Sequence, residues 1–213
     1  LKKVFSKDIL HGHGKAMTCE VDYIWGDTSD IGKVNFLCNL VKNKFSDKKI
    51  LEIGTYRGVT SCNIVKNLYS GHLYTCDCTY EVFEKYLEEE QREHRGKVKY
   101  TPYEIGSVYK NFLIEGENHK LTQLIGDTRD VDFQQELVRM CPFDLIYVDA
   151  SHTKEGIKND TELALDVVSK DGMIIWDDYG SRWNGVNEYL DELSLSEDLV
   201  YLIDNKYVVL DLA

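Results

Sequence analysis

The sequence predicts one α/β domain built on a doubly wound, mostly parallel sheet. Two observations lead to this prediction: short apolar runs alternate with segments of helical period, and the last two apolar runs are adjacent. Alternation of this kind is typical of β-α-β units, whereas adjacent runs of alternating polarity form an antiparallel hairpin. A chain of 213 residues, 43% of them hydrophobic, can bury one substantial core.

Five apolar runs are candidates for parallel strands, and each is preceded by a segment of helical period. They span residues 48–54, 72–77, 121–127, 143–149 and 172–178. A helix is expected from about Thr60 to Tyr69, between the first two runs. Near the end, the runs LVYLID and YVVLDL flank a short turn at Asn205-Lys206, which predicts an antiparallel hairpin and brings the expected number of strands to seven.

Two segments depart from the alternation. Residues 1–33 contain HGHGK but no clear period, so we expect a segment that covers the acceptor side of a site; the helical pattern GKVNFLCNLVKNKF follows. Residues 80–106 form a strongly charged stretch, interpreted as a solvated insertion, with a lid or interface element as the alternative. The main domain is therefore predicted over residues 34–213.

Composition excludes several classes of function. A formal charge of -12 and a pI near 4.9 argue against a nucleic-acid-binding protein, which needs clustered Lys and Arg. No apolar run is long enough to cross a bilayer, and the first residues lack the apolar core of a signal peptide. The six cysteines include no C-x-x-C pair, which favours reduced thiols in the core. We therefore expect a soluble intracellular (cytoplasmic) protein.

Acidic residues stand at or near the end of every predicted parallel strand. In doubly wound sheets, ligands bind outside the carboxyl ends of the strands, so these acids are candidate site residues. Each one alone is more simply interpreted as a cap of the following helix. The acids are Glu52, Asp77, Asp127, Asp149, Asp177 and Asp178.

The turn LEIGTYRGVTS joins the first of these strands to a helix. Gly54 and Gly58 let the backbone approach a ligand closely, with free helix amides facing it. The turn is neither a G-x-G-x-x-G fingerprint nor a P-loop, so phosphate is not the favoured ligand. Asp77 is placed to accept hydrogen bonds from two ribose hydroxyls. Asp127 could accept a hydrogen bond from an adenine amine, and Glu52 could face a cationic group.

From about Val34 to its end, the sequence resembles the class I S-adenosylmethionine-dependent methyltransferases. The resemblance lies in the ExGxxxGxxS motif, the acid that ends the second strand and the final hairpin. It implies a Rossmann-like fold and S-adenosyl-L-methionine as the cofactor. The residues that it implies for cofactor binding are Glu52, Gly54, Thr55, Tyr56, Gly58, Ser61, Asp77, Asp127, Thr128 and Asp149.

The second half of the chain is similar to the metal-dependent O-methyltransferases of this class. The similarity covers the stretch from FDLIYVDASH to IIWDDYG, and it implies that Asp149, Asp177 and Asp178 hold Mg²⁺. Carboxylate oxygens are the ligands that hard divalent cations prefer, and Mn²⁺ or Ca²⁺ would also accept them. The alternative is that the paired acids only cap the next helix.

The motif DxxH resembles that of the metal-dependent sugar O-methyltransferases, in which the histidine is the base. This resemblance gives His152 the role of general base near neutral pH, with Lys154 as its rival. Tyr179, Trp183, Tyr23 and Trp25 are candidates for stacking on the acceptor, against core packing as the alternative for each. His11 and His13 are left without a role.

The sequence therefore predicts a Mg²⁺-dependent O-methyltransferase that acts on a sugar hydroxyl in glycan biosynthesis. The alternatives are a catechol-type or phenol methyltransferase and a non-catalytic nucleoside-binding module. We expect a small-molecule or glycan acceptor, and neither a nucleic-acid nor a membrane partner. A larger multidomain chain and a homo-oligomer are left open.

Overall fold

The structure is a computed structural model that describes residues 1–4, 31–93, 104–202 and 206–213. Within these residues, eight strands form one sheet in the order β1-β7-β8-β6-β5-β2-β3-β4. Only β8 runs antiparallel to its neighbours among the described strands. The strands are β1 (Lys2–Val4), β2 (Lys49–Ile53), β3 (His72–Asp77), β4 (Leu121–Ile125), β5 (Phe143–Val148), β6 (Val168–Trp176), β7 (Val200–Leu202) and β8 (Tyr207–Asp211).

Helices connect the parallel strands and cover both faces of the sheet. The first helix continues into a π-helical turn over Val41–Phe45. The helices are α1 (Ile31–Leu40), α2 (Val59–Asn67), α3 (Tyr80–Glu93), α4 (Ser107–Phe112), α5 (Glu115–Asn118), α6 (Val131–Met140), α7 (Lys154–Val167) and α8 (Asn184–Leu193).

The predicted α/β fold, with a mostly parallel sheet and a C-terminal antiparallel hairpin, is confirmed. The number of strands was wrong by one, because the N-terminal residues add an edge strand that pairs with β7 in register Lys2↔Val200. A strand of three residues is too short to show a period of two in the sequence. Part of the N-terminal segment thus belongs to the sheet itself.

The central strands have nearly continuous apolar sequences because helices cover both of their faces. Along β5, Leu145 and Tyr147 pack against the core beneath α1 and α2. Ile146 and Val148 point to the opposite face, where α6, α7 and α8 contribute the core. This alternation follows the period of two of a strand, so one strand connects two hydrophobic layers.

The parallel arrangement brings the ends of three strands together. The Asp149 amide donates to the Ile53 carbonyl at 2.9 Å, and the Asp177 amide donates to the Val148 carbonyl at 3.1 Å. Residues that follow β2, β5 and β6 therefore lie side by side at the carboxyl edge of the sheet. This is where the sequence placed its candidate site.

Among the described residues, no helix combines the length and apolar character that a membrane span requires. The described cysteines are free, and Cys38, Cys62 and Cys76 are buried. They agree with the expectation of reduced core thiols.

We predict that Leu145→Ala lowers the free energy of unfolding by about 2–5 kcal/mol, because it opens a cavity in the core beside β5, one of the two central strands. Leu145 is fully buried. Urea denaturation measures the change, with Val138→Ala as the control, since Val138 on α6 is 47% exposed. Equal effects of the two substitutions would contradict the core described above.

Candidate active site

A cavity of about 430 Å³ opens at the carboxyl edge of the sheet. This volume lies in the range of small-molecule and cofactor sites. Ten of the residues predicted from the sequence line it. They are Gly54, Tyr56, Asp77, Asp127, Thr128, Asp149, His152, Asp177, Asp178 and Trp183.

The turn after β2 approaches the turn after β5 very closely. Gly54 has φ 105°, and a β-carbon there would lie only 2.0 Å from the Asp149 carbonyl oxygen. Its amide donates to the Cys76 carbonyl on β3 at 2.9 Å. Gly58, at the start of α2, also has a positive φ of 79°. Glycine is needed at position 54 for both conformation and space, as the sequence predicted.

Asp77 ends β3 at the floor of the cavity. One of its carboxylate oxygens accepts a hydrogen bond from the Tyr56 amide at 2.6 Å. Burial raises the pKa of Asp77 to about 6, although backbone hydrogen bonds from Tyr56 and Cys78 oppose the shift. The carboxylate is thus held in place by the glycine turn, with the cavity beside it.

Asp127 follows β4 and already has partners inside the protein. One oxygen accepts a hydrogen bond from the Tyr86 hydroxyl at 2.8 Å, and the other from the Arg129 amide at 2.9 Å. The Arg129 guanidinium lies 3.9 Å from the centre of the Tyr86 ring. Tyr86 and Phe83 belong to α3, so this part of the charged segment forms a wall of the cavity. The many charged residues of this segment gave no indication in the sequence that it lines a cavity.

Asp149, His152 and Asp178 converge on one point of the cavity. Their potential ligand atoms all lie within 4.8 Å of one another, and His152 Nε2 is 3.3 Å from Asp178 Oδ2. Asp178 has φ 64°, a conformation that Asp tolerates better than most residues. The loops after β5 and β6 thus supply two carboxylates and an imidazole to a single corner.

The charges in this corner depend strongly on one another. Burial, together with the neighbouring Asp177 and Asp178, raises the pKa of Asp149 well above its ordinary range. Burial also acts to raise the pKa of Asp178, but the hydrogen bond from His152 and the charges of His152 and Lys33 outweigh it, and the pKa falls to about 2. Carboxylate donors in such a setting fit a hard divalent cation.

Asp177 lies beside this corner but faces other donors. It accepts hydrogen bonds from the Tyr147 hydroxyl at 2.7 Å and from the ammonium of Lys33. The same ammonium lies 3.3 Å from Asp178 Oδ1. Asp177 is therefore absent from the convergent group, and the three predicted ligand carboxylates do not point at one position. Lys33 was not predicted, because nothing in the sequence marks a lysine in the first turn of a helix as part of a distant site.

His152 is held by an aromatic neighbour as well as by Asp178. Its ring stacks on Trp183, with 4.2 Å between ring centroids and an angle of 17° between planes. The Arg182 guanidinium lies 4.5 Å from the same indole. Trp183 is only 7% exposed, and it packs against His152 at the wall of the cavity.

Several predicted residues lie outside the cavity wall. Lys154 pairs with Glu192 at 2.5 Å on the surface, so its position does not support it as the rival base. The Tyr179 hydroxyl donates to Asp191 at 2.6 Å. Thr55, Gly58 and Ser61 support the glycine turn from behind the wall. The predictions for Tyr23, Trp25, His11 and His13 fall outside the described residues.

Glu52 is fully buried beneath the glycine turn and does not reach the cavity. One of its oxygens accepts hydrogen bonds from the Ser61 and Thr75 hydroxyls. Its other oxygen has no hydrogen-bond partner in the part of the chain that the structure describes. Burial raises the pKa of Glu52 to about 7. The predicted contact of Glu52 with a cationic group therefore finds no support in its position.

Comparison with known proteins decides the family. Residues 51–179 match the family described as a methyltransferase domain. The chain belongs to this family. The prediction of a methyltransferase is thereby confirmed, and the matched residues include the glycine turn, Asp149, His152 and the pair of acids after β6.

Solved structures share the fold of this methyltransferase at low sequence identity. The O-methyltransferase TomG from Streptomyces achromogenes, solved with S-adenosylmethionine, is 18% identical over 87% of this chain and 82% of its own, with a TM-score of 0.55. A putative O-methyltransferase from Klebsiella pneumoniae is 18% identical over 98% and 88%, with a TM-score of 0.56. MycE from the mycinamycin biosynthetic pathway, solved with Mg and S-adenosylhomocysteine, is 16% identical over 81% and 47%, with a TM-score of 0.50. No curated protein sequence matches the chain.

We predict that Glu52→Gln makes the methyltransferase more stable above neutral pH. The pKa of Glu52 is about 7 in the folded protein, against an ordinary value of 4.5 that we take for the unfolded chain. The folded wild type therefore loses stability as the pH rises from 4.5 to about 7. The loss from this residue amounts to about 3 kcal/mol in total. Glutamine keeps the acceptor for Ser61 and Thr75 without a charge, so the variant should lack this loss.

Urea denaturation between pH 5 and about 8 measures the difference, with Glu136→Gln on the exposed side of α6 as the matched control. If the free energy of unfolding depends on pH in the same way for the wild type, the control and Glu52→Gln, then Glu52 is ionised in the folded protein.

Proposed function

We propose that this chain is a Mg²⁺-dependent O-methyltransferase that uses S-adenosylmethionine to methylate a sugar hydroxyl in glycan biosynthesis. The convergence of Asp149, His152 and Asp178 within 4.8 Å, at the edge of a cavity walled by the glycine turn, carries this proposal. Such an arrangement would combine a cation site, a base and a cofactor pocket in one place. Membership of the methyltransferase family supplies the reaction class.

The cofactor is proposed to lie between the glycine turn and Asp77. S-Adenosylmethionine supplies a methyl group on a sulfonium that is already activated for in-line displacement, so the protein has to bind, orient and exclude water. Gly54 lets the backbone come close, and the Asp77 carboxylate is available to the ribose hydroxyls. The adenine is proposed to lie by Tyr86 and Arg129. Because Asp127 accepts from both of these residues, we expect it to shape the adenine pocket rather than to bind the amine alone.

The donor set fits a divalent cation. Asp149 and Asp178 would hold it, and water or acceptor oxygens would complete the coordination that Mg²⁺ prefers. The chemistry that the ion supplies when bound is a lower pKa of an acceptor hydroxyl. Asp177 is proposed as a ligand only after it exchanges its present partners, Tyr147 and Lys33.

His152 is proposed as the general base. Its contact with Asp178 and its stacking on Trp183 fix the orientation of the imidazole toward the cavity. A carboxylate beside an imidazole also stabilises the protonated ring, which is the form produced when the acceptor hydroxyl loses its proton. Lys154 is unsuited to this role because it pairs with Glu192 on the surface.

The sugar is proposed from the DxxH motif, which resembles the metal-dependent sugar O-methyltransferases. The likeness to MycE, which was solved with Mg and S-adenosylhomocysteine, supports the metal. Residues 1–33 are proposed to cover the acceptor, and Lys33, at the end of this segment, does line the cavity. Tyr23 and Trp25 remain candidates for stacking on the sugar.

We predict that His152→Gln lowers kcat by about 10²–10⁴-fold, because the acceptor hydroxyl loses its base. Cofactor affinity should stay close to that of the wild type. The measurement is methyl transfer from S-adenosylmethionine to a panel of sugars, nucleotide-linked sugars and catechols. Lys154→Gln is the matched control and should retain activity.

The roles would be reversed if Lys154→Gln lost activity and His152→Gln kept it. If the wild type methylates only catechols, the acceptor is a phenol and the proposal of a sugar is wrong. A wild type that binds the cofactor but methylates nothing in the panel would favour the nucleoside-binding module.

We predict that Asp149→Asn weakens Mg²⁺ binding by about 100-fold or more, because an anionic ligand is lost. Calorimetric titration of Mg²⁺ into the protein saturated with S-adenosylhomocysteine measures this change. Chelation of the metal should abolish wild-type activity and added Mg²⁺ should restore it. Asp144→Asn, at the opposite end of β5, is the control. Equal Mg²⁺ binding by all three proteins would remove Asp149 from the metal site.

A further inference from the structure

A lysine ammonium occupies part of the proposed metal site. Lys33 lies in the first turn of α1, and its side chain is only 16% exposed. Its Nζ forms an ion pair with Asp177 Oδ1 and lies 3.3 Å from Asp178 Oδ1. These contacts connect α1 with the loop after β6, which is more than 140 residues further along the chain.

The two aspartates are left with little capacity for another cation while Lys33 is in place. Asp178 contacts Lys33 through Oδ1 and His152 through Oδ2. Asp177 accepts hydrogen bonds from Lys33 and the Asp178 amide through Oδ1, and from the Tyr147 hydroxyl through Oδ2. An oxygen that accepts a hydrogen bond from an ammonium cannot at the same time offer that lone pair to a metal ion.

The pairing also compensates charge. Asp149, Asp177 and Asp178 form a group of adjacent acids of which Asp177 is almost fully buried. Buried like charges need compensating cations, and among the described residues Lys33 contacts both Asp177 and Asp178, whereas His152 pairs with Asp178.

We propose that Lys33 is the internal counter-cation of the metal site, and that a divalent ion binds by displacing its ammonium from Asp177 and Asp178. This inference rests on the metal requirement in the proposed function. Lys33 is then a positioning residue that sets the affinity for the ion. The displaced side chain has space in the cavity that it lines, where its Nζ already lies 5.7 Å from the centre of the Tyr207 ring.

The exchange gives the site two states. In one state the Lys33 ammonium compensates Asp177 and Asp178, and in the other the divalent ion does so. Removal of the ammonium should therefore leave the carboxylates less compensated and more available to metal.

The test is the affinity for Mn²⁺, followed by electron paramagnetic resonance of the free ion, in the wild type, Lys33→Met and Lys33→Arg. We expect Lys33→Met to bind Mn²⁺ at least about fivefold more tightly than the wild type, within the range usual for coupled binding events. Lys33→Arg, which keeps the competing charge, should stay within about twofold of the wild type. Lys44→Met is the matched control, because Lys44 pairs with Asp211 at 3.3 Å and lies outside the cavity wall.

The outcomes separate this inference from the proposed function. Mn²⁺ binding that is equally tight in wild type, Lys33→Met and Lys33→Arg overturns the role of Lys33 and leaves the metal requirement intact. Mn²⁺ binding by none of them overturns both. Weaker binding by Lys33→Met, with a circular dichroism spectrum like that of the wild type, would show that Lys33 supports the metal site instead of competing for it. Should Lys33→Met fail to fold, Lys33→Gln replaces it with the same expected result.

Discussion

The contact between the turns after β2 and β5 is the constraint on which the rest of the site depends. Gly54 lies so close to the Asp149 carbonyl that no side chain fits between them, and the Asp149 amide pairs with Ile53. This contact places the glycine turn and Asp149 on the same wall of the cavity. Because β6 continues the parallel sheet beside β5, Asp177 and Asp178 follow at the next position along the edge. Backbone pairing thus determines which side chains lie together, independently of their charges.

Most of the fold was predictable because its information is local. Strands such as β3 and β5 show apolar runs with clear ends, and the final hairpin has a short turn between alternating strands. The extra edge strand β1 was missed because three residues carry no pattern. The contribution of α3 to the cavity wall was left as an alternative because charged residues dominate its sequence, whereas Phe83 and Tyr86 line the cavity.

The site was predictable to the extent that its residues follow strands. Asp77, Asp149, His152 and Asp178 were found because strand ends of a parallel sheet share one edge. Lys33 could not be found in this way, since its position depends on how α1 packs across the sheet. Glu52 was predicted to line the site because it begins the ExGxxxGxxS motif on β2. The period of two along β2 instead turns its side chain into the core.

Two acids, the buried Glu52 and the half-buried Asp178, are stabilised in different ways. Among the described residues, Glu52 has hydroxyl donors but no cation beside it, and burial raises its pKa to about 7, so it is a neutral acid below that pH. Asp178 has both Lys33 and His152 beside it, and its pKa falls to about 2. The first arrangement keeps a fully buried acid beneath the glycine turn. The second keeps negative charge next to the cavity.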